Sequence, residues 1–107
     1  MAFDAQSIFQ QIEDARISLR VRSAPLILPG RRLFGAWDPL LRQIDIFDCN
    51  RDRSDRDLVR TLLHELSHAL SARRDEAQAR RAAEDQLDQS TPQNIGAIAS
   101  RLREMSE

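Results

Sequence analysis

Lysine and tyrosine are absent from this chain, and cysteine and tryptophan occur once each. The single thiol, Cys49, excludes an internal disulfide and with it an oxidised framework. All sixteen basic residues are arginine, scattered among seventeen acids. The resulting net charge of −1 gives no footing for a general polyanion binder, so no nucleic-acid partner is expected. No apolar run approaches membrane-spanning length, and residues 1–6 lack a basic segment leading into an apolar one. No membrane partner is expected, and the default compartment is the cytoplasm. A length of 107 residues allows one modest core, hence a single domain over 1–107. Histidine is scarce as well: there are two, His64 and His68, four positions apart.

Along the chain the hydrophobic period changes twice. Phe3, Ile8, Phe9 and Ile12 recur with helical spacing behind Asp4, which can cap the first turn. Ile17, Leu19 and Val21 then alternate with polar residues, as a strand with one buried face does. Pro25 and Pro29-Gly30 bound Leu26-Ile27-Leu28, which reads as a short apolar connection. Residues 33–37 and 43–47 are further strands, joined as a hairpin across Asp38-Pro39. Ser54 with acids behind it starts a helix over about 55–71. Asp75 with Gln78 starts a second, burying Ala79, Ala82, Ala83 and Leu87, and Thr91-Pro92 starts a last one carrying Ile95, Ile98, Ala99 and Leu102. The expected fold is α+β: an N-terminal helix, a small three-stranded, mainly antiparallel sheet, and three helices.

The second helix contains the chemistry. His64-Glu65-Leu66-Ser67-His68 is an H-E-x-x-H sequence inside an apolar helical stripe. Residues four apart on a helix point the same way, so the two imidazoles can share one metal ion. Glu65 stands where it can reach a water on that metal. The bland alternative is a helix with two half-exposed histidines beside a salt-bridged glutamate.

Residues 61–70 resemble the active-site helix of the zincin metallopeptidases. The extended zincin signature puts Thr or Val three positions before the first histidine and a hydrophobe two after the second, where Thr61 and Leu70 stand. The resemblance implies Zn2+ on His64 and His68, with Glu65 as general base. With no third histidine the metzincin pattern is absent, so the similarity narrows to the gluzincins, thermolysin-like or ImmA/IrrE-type, which take a glutamate from the following helix. Two residues qualify. Glu76-x-x-Ala79 resembles the ImmA/IrrE-type pattern, with Arg80 standing where those families place Asp or Asn. Glu84-x-x-x-Asp88 resembles the thermolysin-like one, where the aspartate supports a ligand histidine. An antiparallel helix hairpin turning near Arg74 sets Glu84 level with His64 and leaves Glu76 roughly 6–9 Å off the metal's level, which favours Glu84. A tighter turn near Ala72 favours Glu76.

The implied activity is zinc-dependent hydrolysis of peptide bonds by a zinc-bound water that Glu65 activates, on a peptide or protein substrate. Ile44 to Phe47 offers a strand to which an extended peptide can add, or is simply covered. The tyrosine or extra histidine of thermolysin-like enzymes, which stabilises the oxyanion, has no counterpart. Arg73, Arg74, Arg80 or Arg81 can take that place, or form a solvated face. Cys49 is either a thiolate cap on the metal or a plain free thiol, and Trp37 a core anchor or a substrate platform. The alternative function is a catalytically silent, metal-stabilised binding or regulatory module on the same scaffold. A third is a helical interaction protein in which the motif is accidental.

Overall fold

The computed structural model describes residues 4–50, 52–71, 73 and 75–106. Helix α1, Ala5–Asp14, is capped by Asp4 in a reciprocal box with Ser7 and buries Ile8, Phe9 and Ile12. Phe3, expected on the same face, lies outside the described residues. Arg16, in the left-handed region at φ 56°, turns the chain into strand β1, Ser18–Val21. There follow β2 (Leu26–Leu28), β3 (Arg31–Leu33), β4 (Gly35–Asp38) and β5 (Gln43–Ile46). Three further helices complete the described chain: α2 (Asp55–Leu70), α3 (Glu76–Asp88) and α4 (Pro92–Glu104).

The α+β class holds, but the sheet differs from the expected one. Leu26-Ile27-Leu28 is a strand, paired antiparallel with β3 so that Leu26 opposes Leu33. Pro29-Gly30, read as a break, is the turn of this hairpin, with Gly30 at φ 81°. The expected strand over 33–37 is split at Phe34 between β3 and β4, each with a different partner. The main sheet has the order β1-β5-β4 and is mixed. β4 and β5 form the anticipated hairpin, and β5 then slots in parallel to β1. As the central strand β5 is paired on both sides, which corrects its reading as a docking edge. The outer strands are β1 and β4, and β4 is the one that passes over α2.

Helix α2 is the hub. Its Leu58, Val59, Leu62, Leu63 and Leu66 are buried in one core with Ile44 and Ile46 of β5 and the apolar face of α4, and α1 closes that core by packing on α4 and β1. Ser54 caps it by accepting from the Asp57 N–H, and Asp55 and Asp57 occupy its positive end. Helix α3 packs against α2 through Leu87 and through Ala79 and Ala83, which are small enough to allow close approach, and α4 lays Ile95, Ile98, Ala99 and Leu102 into the core. Among the described residues no helix is long and apolar enough to cross a membrane.

Candidate metal centre

His64 and His68 sit one turn apart on α2, their ring centroids 5.0 Å from each other and each side chain about four-fifths buried. Glu65, about 100° further round the helix axis from His64, is turned inward and only 8% exposed. Donor atoms of the three side chains all lie within 4.8 Å of one another. Burial pushes the Glu65 carboxyl up to about 7; the His68 imidazole opposes that rise and the Glu76 carboxylate adds to it.

The carboxylate that meets both histidines is Glu76. It is the first residue of α3, immediately after Asp75, which caps that helix in a reciprocal box with Gln78. From there its carboxylate spans both histidines, with Oε2 3.0 Å from His64 Nε2 and Oε1 2.8 Å from His68 Nε2. Partial burial opposes its ionisation, but the two imidazoles together hold it below the usual carboxylate range. Glu84 is elsewhere: it is paired with Arg60, and lies 4.0 Å from Arg56, which binds Asp88 at 2.8 Å. Residues 56 and 88, 60 and 84, and 68 and 76 are thus partners, each pair centred on position 72. The helix hairpin therefore has the tighter geometry, which reverses the preference for Glu84. Asp88 likewise supports Arg56 rather than a histidine.

The donor set fits a divalent zinc ion. Two imidazole nitrogens and one carboxylate are the ligand types of an open, three-residue zinc site, whose neighbouring donors stand about 3.3 Å apart. The two nitrogen–oxygen distances here are a few tenths of an ångström shorter, and the Glu76 side chain, 71% exposed, has room to yield that much.

Gly35 is the site residue that pattern reading missed. A Cβ added there would lie 2.6 Å from Thr61 Cγ2 and 3.1 Å from Glu65 Cγ, so only glycine lets β4 pass this closely over α2. The one available signal was a glycine interrupting a strand pattern. Thr61 has little freedom to retreat: its hydroxyl donates to the Asp57 carbonyl and accepts from Arg53. Gly35→Ala is accordingly expected to destabilise the fold by about 1–3 kcal/mol, measured by urea unfolding. A variant as stable as the wild type would show that the contact relaxes freely.

Two open grooves meet at the site. The larger, about 780 Å³, runs past Arg31, Arg32, Gly35, Arg60, Arg80 and His64; the smaller, about 450 Å³, is bounded by Trp37, Pro39, Glu65, His68 and Glu76. β4, one of the two outer strands of its sheet, contributes to both. Phe47 N–H donates to the Phe34 carbonyl, and alternate pairs of an antiparallel ladder exchange bonds. Ala36 therefore faces β5, while the peptide groups of Gly35 and Trp37 point to the open edge.

Of the arginines considered for the oxyanion, Arg80 lines the larger groove, whereas Arg73 and Arg81 line a separate depression and Arg74 lies outside the described residues. Cys49 is buried in the core, where burial raises its thiol pKa, and it is not among the residues gathered at the site. Trp37 packs on the core and also lines the smaller groove. No family model matches the chain, and no curated protein or solved structure matches it either.

Proposed function

We propose that this protein is a zinc-dependent metallopeptidase of the gluzincin type, active in the cytoplasm, with His64, His68 and Glu76 as metal ligands and Glu65 as general base. The observation that carries this reading is the Glu76 carboxylate laid across both Nε2 atoms, beside a buried carboxyl poised near neutrality. The element order also supports it: a helix and small sheet precede the histidine helix, and the glutamate helix follows directly.

Zinc, when bound, supplies Lewis acidity toward the scissile carbonyl and acidifies the attacking water. The protein's own groups do the rest. The outward peptide groups of Gly35 and Trp37 can pair with an extended substrate laid along β4. Glu65 takes the proton of the attacking water and hands it to the leaving amine, a task served best by a pKa near the working pH.

The test is metal content together with turnover. We expect one zinc per chain, lost in His64→Ala and in His68→Ala, and hydrolysis of a mixed peptide library that stops on chelation and resumes with zinc. A chain that binds no metal refutes the proposal. Full zinc occupancy without turnover would favour the second reading, a metal-stabilised regulatory module. That reading draws on one observation: with no tyrosine and both histidines in the ligand set, no neutral donor of those kinds is left for the oxyanion.

A further inference from the structure

We propose that the substrates of this site carry a carboxylate on the C-terminal side of the cleaved bond, bound in the larger groove by Arg31 and Arg80. This rests on the peptidase reading and narrows it to a substrate class.

The two grooves differ in chemistry. Four guanidinium groups line the larger one, from Arg31 and Arg32 on β3, Arg60 on α2 and Arg80 on α3. Arg32 is neutralised by Asp48, and Arg60 by Glu84 and Asp57. Arg31 and Arg80 are exposed and form no ion pair among the described residues. Glu84, the one acid in that groove away from the metal centre, is already held by Arg60. Among the described residues no arginine lines the smaller groove, where Trp37 and Pro39 form the wall and the adjoining Leu40 is 94% exposed. An extended peptide along β4 would therefore meet the two unpaired guanidinium groups of the larger groove at one end and the Trp37–Pro39 wall at the other, where a single arginine, Arg42, lies 5.8 Å over the Trp37 ring.

Strand direction assigns the ends. β4 runs from Gly35 in the larger groove to Asp38 beside the smaller one. A peptide added antiparallel, the slightly more stable pairing, runs the opposite way. Its N-terminal half lies along Trp37 and Pro39, and its C-terminal half reaches Arg31 and Arg80. The group recognised there is a carboxylate, supplied either by an aspartate or glutamate side chain or by the free C-terminus of a short peptide. Both present the two-oxygen face that a guanidinium binds in bidentate fashion.

Binding to the zinc-loaded Glu65→Gln protein, read by fluorescence anisotropy of labelled peptides, tests this without requiring turnover. Peptides with an acid in the C-terminal half should bind about 5- to 10-fold tighter than neutral ones at low salt, with the margin shrinking as salt is raised. An amidated acidic peptide and a neutral peptide with a free terminus separate the two carboxylate sources, and tighter binding of either supports the proposal. The preference should vanish in Arg31→Gln/Arg80→Gln and turn toward basic peptides in Arg31→Glu. Equal binding of acidic and neutral peptides, preference for acids in the N-terminal half, or preference that survives the double substitution would each overturn it. Wild-type cleavage is scored separately. Arginine-dependent binding without cleavage keeps the carboxylate site and removes the peptidase, while cleavage indifferent to charge does the reverse.

Discussion

Replacing Glu65 with glutamine is expected to lower peptide hydrolysis by about 10²–10⁴-fold while one zinc per chain stays bound, because the amide keeps the shape but cannot accept the proton. The same substitution should stabilise the zinc-free protein, and here the sign matters. The Glu65 carboxyl has its pKa raised from 4.5 to about 7, chiefly by burial. Between those values the folded chain keeps a proton that the unfolded chain has released, so stability falls as pH rises through this window. Above pH 7 the accumulated loss is about 3 kcal/mol. Glutamine removes it. With chelator present, the variant should therefore match the wild type near pH 4 and exceed it in melting temperature by on the order of 10 °C at pH 8. Melting curves at the two pH values, each with chelator and with zinc, give the comparison. Equal melting at pH 8 would mean that Glu65 ionises without cost in the folded chain, and near-normal turnover would place the base on another residue.

The candidate site is partly legible in the sequence alone. The histidine pair, the glutamate after it and the helix that carries them follow from spacing along one element, where 3.6-residue periodicity places side chains without knowledge of the rest. Ser54, Asp75 and Thr91 mark helix starts by the same local logic, and each caps its helix as expected. The strands were harder. Leu26-Ile27-Leu28 spans three residues between prolines, too short to show alternation, and only its pairing with β3 makes it a strand. The parallel pairing of β1 with β5 depends on contacts 25 residues apart in sequence, which no local pattern records. Gly35 leaves only a faint mark in the sequence, for a related reason. Its lack of a side chain matters only once β4 crosses Thr61 and Glu65.

Glu76→Ala is expected to weaken zinc binding by at least about 100-fold, more than the loss of a supporting outer-shell partner usually brings, whereas Glu84→Ala should leave it unchanged. The choice between these residues rests on the hairpin's centre. Moving that centre from Arg74 to position 72 brings Glu76 back to the level of the histidines and carries Glu84 one turn past them, onto Arg60. Glu76 also begins its helix, where the positive end of the dipole favours a carboxylate, and the two imidazoles lower its pKa further. It is thus ionised and ready to accept a cation at neutral pH. Glu84 is committed to a half-exposed pair with Arg60, so removing it should cost no more than about 1 kcal/mol of stability and no metal. Competition against a chelator of known affinity, with urea unfolding in parallel, reads both effects. Equal zinc affinity in the two variants would refute the gluzincin ligand set, and a loss confined to Glu84→Ala would restore the looser hairpin. Loss confined to Glu76→Ala would instead tie metal binding to the start of α3, so that zinc bridges the two helices and holds the wall of the larger groove in place.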